Sequence, residues 1–183
     1  MSITNLGFIQ VQHLHLIGGI QIEIKVSEVM QREDNSLYLK EIEMINYEKG
    51  EILNTPDNVV KLMTDVFEIN KKISEEIFVI ALTTDSKPLH FFKLNRGTVN
   101  TSLFDTRGLM ISLLLANAST FVIVHNHLSG SITPSKPDID ITQKLNKAAE
   151  LLGLTFTDHI IIGAKGTHYS FMEVYRDLAK VHS

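Results

Sequence analysis

The chain has 183 residues, 44% of them hydrophobic and 21% charged, which suits one hydrophobic core of ordinary domain size and excludes the disordered class. It contains no cysteine, so disulfide staples, thiolate ligands and a cysteine nucleophile are ruled out, and any metal site must use histidines and carboxylates. A formal charge of -4 leaves no basic footprint for a phosphate backbone or an anionic membrane, so nucleic acid is disfavoured as a partner.

No Lys or Arg precedes the first apolar residues, and Gln10, His13 and Gly18 interrupt them, unlike a secretory signal; a cytoplasmic location is the default expectation. Residues 9–17 and 20–26 alternate apolar and polar around Gly18-Gly19, the pattern of a hairpin with one wet face. A further strand is expected over 36–45 and a connecting loop over 46–54, which contains Gly50. Residues 1–53 thus read as a β-rich N-terminal accessory segment, ahead of a main domain over 54–183.

Thr55-Pro56-Asp57 supplies a cap, a first-turn proline and an early acid for a helix over 56–69. Two strands follow, 77–82 and 89–94, joined by the turn signal Thr84-Asp85-Ser86-Lys87-Pro88. A helix over 107–118 leads into a β-branched, fully buried strand over 120–124. The apolar stretch 109–124 carries Ser112, Asn117, Ser119 and Thr120, which makes it too short and too polar to cross a bilayer. A helix over 138–152 stopped by Gly153, strands over 156–162 and 169–171, and a last helix over 172–181 complete the expected order.

Chemistry concentrates where the 120–124 strand ends. Side chains on a strand alternate faces, so His125 and His127 point to one side and can share one metal ion. Asp138, at the start of the next helix, can return as third ligand and leave the fourth tetrahedral position open for water. Ser135-Lys136-Pro137-Asp138 also reads as a capping box with Ser135 as N-cap, and both readings can hold at once. The chain has a second H-x-H at His13-Leu14-His15, but no Ser-x-x-Asp follows it, and that pair reads as an exposed strand face.

H-x-H followed by S-x-x-D resembles the JAMM (JAB/MPN+) metalloproteases, whose signature is an upstream Glu, H-x-H, seven residues and S-x-x-D; His125, His127, Ser135 and Asp138 meet that spacing. Gly97-Thr98, Asn100, Arg107, Asn117-Ala118, Thr142, Gly153, Asp158-His159 and Ser170-Phe171 are similar to the bacterial RadC-like branch, over roughly residues 54 to 175. Leu128 stands where that branch usually has Pro, Pro137 where it has an acid and Thr157 where it has Leu; no ligand position is affected. Nothing before residue 54 looks like the helix-hairpin-helix region of full-length RadC proteins, so the chain resembles the short, stand-alone members.

The resemblance implies an α/β MPN (JAB, cytidine-deaminase-like) domain, a curved mixed sheet flanked by helices. It also implies a zinc-dependent hydrolase that cleaves a peptide or isopeptide bond in a peptide or protein substrate. Glu75 and Glu76 are adjacent and must face opposite ways, so only one can enter the site. The family spacing, Glu seven positions before a Leu and twenty-two before Gly-Thr, selects Glu75 through Leu82 and Gly97. In the implied mechanism Glu75 is the general base and Ser135 helps hold the oxyanion.

Asn126 faces away from the metal by strand parity and is expected to hold neighbouring backbone. His159 reads either as a buried, hydrogen-bonded strand residue or as an orienting partner, and His90, His168 and His182 have no evident companions. Two rival functions remain, a DNA-repair-associated or DNA-processing role and a non-catalytic MPN interaction module. Oligomeric state is not legible.

Overall fold

The computed structural model describes residues 20–94 and 105–175. Among the described residues seven strands form one mixed sheet: β1 (Ile20–Gln31), β2 (Leu37–Gly50), β3 (Ile77–Leu82), β4 (Pro88–Leu94), β5 (Thr120–Asn126), β6 (Thr155–Ile162) and β7 (His168–Ser170), in the order β2-β1-β4-β3-β5-β6-β7. β1 lies parallel to β4 and β5 parallel to β6, while the other neighbours run antiparallel. Helix α1 (Pro56–Phe67) covers one face, and α2 (Thr106–Leu115) with α3 (Lys136–Leu151) covers the other.

Strand parity builds the two cores. On β3, Phe78, Ile80 and Leu82 pack with Val59, Val60 and Met63 of α1, whereas Val79 and Ala81 pack with Leu109 and Leu113 of α2 and Leu145 of α3. A central strand covered on both faces has to be apolar at every position, which is why 77–82 reads as an unbroken apolar run. The helices start where the caps require: Thr55 accepts the Asn58 N–H, Asp105 the Gly108 N–H, and Ser135 the Asp138 N–H.

The N-terminal region holds a pairing that was not expected. β1 pairs with β2 through a turn at 32–36, with Asn35 at φ 65° and the Asp34 carboxylate accepting the Ser36 N–H. Residues 9–17 and their proposed turn lie outside the described residues, as do His13 and His15. The expected loop over 46–54 is corrected as well: its first five residues belong to β2, because Tyr47 and Gly50 pair with Ile22 and Ile20. Ile22, Ile24 and Val26 enter the same core as Phe78 and Phe91, so this hairpin is continuous with the sheet that carries the histidines.

Smaller shifts follow local physics. α1 ends two residues early, at a left-handed Glu68, and α2 ends at Leu115 before a left-handed Asn117. β7 gives way to helix at Phe171, and the expected last helix is described only through 175. No helix among the described residues is long and apolar enough to cross a membrane.

Candidate metal centre

β5 delivers His125, and His127 follows one residue past the strand end. His125 shares the face of Phe121 and Ile123, the face covered by α3, while Asn126 follows Val122 and Val124 to the α1 side. Asp138 is the third residue of α3. The loop between carries little regular structure and is tied by its own groups. Gly130 donates to the His127 carbonyl at 3.0 Å, the Ser131 N–H to Ser129 Oγ at 3.3 Å and the Thr133 N–H to Ser131 Oγ at 3.1 Å.

Three side chains converge there. His125 Nε2 and His127 Nε2 are 3.0 Å apart, and they lie 3.3 and 3.2 Å from Asp138 Oδ1 and Oδ2. A tetrahedral zinc with bonds of 2.0–2.1 Å has ligand-to-ligand edges of roughly 3.3–3.4 Å, and one donor atom from each of these three residues lies within 4.8 Å of the others. Hydrogen-bond directions agree. The Ser131 carbonyl can only accept, so His127 carries its proton on Nδ1, 3.0 Å away, and a neutral ring leaves Nε2 bare.

His125, His127 and Asp138 could hold a metal ion. Burial works to raise the Asp138 carboxyl, but hydrogen bonds from His125 and Ser135 outweigh it and hold the group well below the usual carboxylate range.

Ser135 forms the capping box in full, its Oγ accepting the Asp138 N–H at 3.3 Å while Asp138 Oδ2 accepts the Ser135 N–H at 2.8 Å. The Ser135 hydroxyl also donates to that carboxylate oxygen. The cap therefore aims Asp138, and the serine lines an open cleft of about 440 Å³ with Glu75, His127, Ser131 and Thr133.

The two glutamates separate as adjacent residues must. Ile77 pairs with His125, and continuing that antiparallel register puts Glu75 opposite His127 and Glu76 opposite Asn126. Glu75 lines the cleft, whereas Glu76 turns to the other side of the sheet and takes an ion pair from Lys93 at 2.8 Å. Asn126 clamps this segment, accepting the Glu76 N–H at 2.8 Å and donating to the Ser74 carbonyl at 3.1 Å.

A model of the RadC-like JAB domain matches residues 53–177. The chain belongs to that family. Similar to this RadC-like chain are a "UPF0758 protein" of Porphyromonas gingivalis, 39% identical over 99 residues, and one of Finegoldia magna, 33% identical over 112. These matches cover 54% and 61% of this chain but 44% and 49% of the relatives, so the chain spans about half their length. A third, from Streptococcus sanguinis, is 28% identical over 172 residues, covering 94% of this chain and 73% of its own.

Two residues around the RadC-like site were not singled out for a role by sequence reasoning. The Ser131 carbonyl sets the His127 tautomer, and Thr142 donates to the Asp138 carbonyl at 2.6 Å while standing 2.6 Å from His159 Nδ1. Thr142 follows Asp138 by four positions and so shares its helix face, a signal that was readable. His159 lies beside His125, its Nε2 2.9 Å from His125 Nδ1; burial, then the charge of His125, pushes it down to about 3, so the ring is neutral. Two histidines expected to stand alone do not: His90 bonds Ser27 Oγ at 2.9 Å, and His168 lies 3.8 Å from Asp57.

Proposed function

We propose that the chain is a zinc-dependent hydrolase of the JAMM type, a metallopeptidase that cleaves a peptide or isopeptide bond. The observation that carries this reading is the convergence of His125 Nε2, His127 Nε2 and Asp138 at 3.0–3.3 Å on the edge of a cleft that Glu75 also lines. Two neutral imidazoles and one carboxylate suit zinc, and three protein ligands leave a position for water. When bound, the ion supplies Lewis acidity, enough to bring a water's pKa from about 15.7 to about 7.

The chain's own groups do the rest. Glu75, across from His127, accepts the water proton and returns it to the leaving amine. Asn126 fixes the backbone on both sides of that carboxylate. Ser135 gives its proton to Asp138 at rest; turned toward the cleft, it becomes an oxyanion donor, a group whose loss typically costs about 10²- to 10³-fold in rate. The substrate is a peptide or protein, and the site sits in the cytoplasm.

Zinc per purified chain tests the metal. Near-stoichiometric zinc in the wild type, lost in Asp138→Ala and His125→Ala, is the expected result. Zinc that survives both substitutions, or a wild type that takes up none, overturns the assignment. A peptide-library cleavage assay comparing the wild type with Glu75→Gln tests the base, and equal activity in the two would exclude Glu75 from that role.

A further inference from the structure

We propose that His159 is a positioning residue that acts through Thr142 to fix which nitrogen of His125 faces the metal and to tie that ring to the backbone of Asp138. The proposal rests on reading His125 and Asp138 as ligands. Its hydrogen-bond directions, however, follow from the protein alone.

They are set at the far end. Thr142 Oγ1 lies 2.6 Å from the Asp138 carbonyl oxygen, which can only accept, so the single hydroxyl proton of Thr142 is committed there. Thr142 Oγ1 can then only accept from His159 Nδ1, also 2.6 Å away, which places a proton on that nitrogen. In the neutral ring His159 Nε2 is left as an acceptor, and at 2.9 Å it receives the Nδ1–H of His125. In the neutral His125 ring Nε2 is thereby bare, and it is directed at His127 and Asp138.

The rest of His159 is arranged for rigidity. It is 2% exposed, and its ring stacks on Phe171 at 4.9 Å with an interplanar angle of 8°. β6 brings it to the α3 face one strand over from β5, with Ile123 as its pairing partner. The chain from His125 through His159 and Thr142 ends on the main chain of the residue that supplies the third donor atom. Two donors from different elements are therefore locked to each other without the metal.

A purely structural role for His159 would be satisfied by its stacking on Phe171, and two measurements separate the roles. In metal-free protein at slightly alkaline pH, long-range ¹H–¹⁵N correlation should show His125 with its proton on Nδ1. Thr142→Val, which keeps the shape and removes the hydroxyl, and His159→Phe, which keeps the stack, should scramble that tautomer. Both should weaken zinc, measured by chelator competition, by about 10- to 100-fold, while Thr142→Ser stays near the wild type.

A wild-type His125 protonated on Nε2, or Thr142→Val with unchanged tautomer and unchanged zinc affinity, overturns the proposal. If His159→Phe fails to fold, Thr142→Val alone decides it. A wild type that binds no zinc would instead sink the metal reading, and the tautomer measurement would still decide the role of His159.

Discussion

Asn126 holds Glu76 from the neighbouring strand: its side-chain oxygen accepts the Glu76 N–H at 2.8 Å, and its amide donates to the Ser74 carbonyl on the far side of Glu75. The residue between the two histidines thus places the carboxylate that faces them. Asn126 is 3% exposed, so truncation leaves two backbone groups without their partner in a dry setting. Asn126→Ala should cost about 1–3 kcal/mol in urea unfolding. It should bind zinc like the wild type and lose peptidase activity as Glu75 drifts. Wild-type activity in a measurably destabilised Asn126→Ala would show that the clamp does not position Glu75.

Ser135 makes a different division. As N-cap of α3 its loss should destabilise the protein by about 1 kcal/mol, and Ser135→Thr should recover most of that. As oxyanion donor its loss should slow turnover by far more than a shift of that size predicts. Thermal denaturation and kcat measured on the same preparations separate the two, and a Ser135→Ala variant with kcat unchanged confines the serine to capping.

The buried His159 makes stability depend on pH in metal-free protein. Its folded value of about 3 lies below the ordinary 6.5, so between those limits the unfolded chain binds a proton that the folded one refuses. Stability from this source is complete above pH 6.5 and falls on acidification, by up to about 1.4 kcal/mol per pH unit. His90, lowered mainly by burial, adds to the same trend; Asp158, raised mainly by burial, opposes it only nearer the carboxylate range. Urea midpoints between about pH 6.5 and pH 5 should therefore fall, and His159→Gln should flatten the slope. Parallel slopes in the two proteins would show that His159 is not refusing that proton.

Gly163 follows β6 and sits against the loop that carries the histidines. A methyl group there would lie 2.7 Å from the Gly130 carbonyl oxygen and 2.6 Å from Ile132 Cγ2. Because one neighbour is backbone, the loop itself would have to move. Gly163→Ala should cost about 1–3 kcal/mol and also weaken zinc. Loss of stability with metal affinity intact would mean that the strain stays outside the loop.

The readable part of the site was the part close together in sequence. His125, His127, Ser135 and Asp138 come from one strand end and the next helix start, so alternation and capping rules alone bring them near each other. Glu75 belongs to a different strand pairing, and its place opposite His127 depends on a register fixed by Ile77 and His125, which no local rule reports. The direction of the His159 chain was also out of reach, since it depends on where one threonine proton goes. At the N-terminus the turn at Asp34-Asn35-Ser36 went unread, although Asp and Asn turn a chain by hydrogen bonding their own backbone as glycine does by lacking a side chain.

The sheet order limits where this protein can be cut. The family match begins at residue 53, yet β1 lies beside β4, with Val26 opposite Phe91, and buries Ile22 and Ile24 against the cluster of Phe78 and Phe91. A fragment of residues 53–177 would keep every metal donor and still expose a bare strand edge beside uncovered aromatics, the recipe for sheet-to-sheet association. Light scattering should find that fragment aggregated and a chain beginning at residue 20 dispersed. The unit recognised by homology and the unit that stays in solution would then be two different lengths of the same polypeptide.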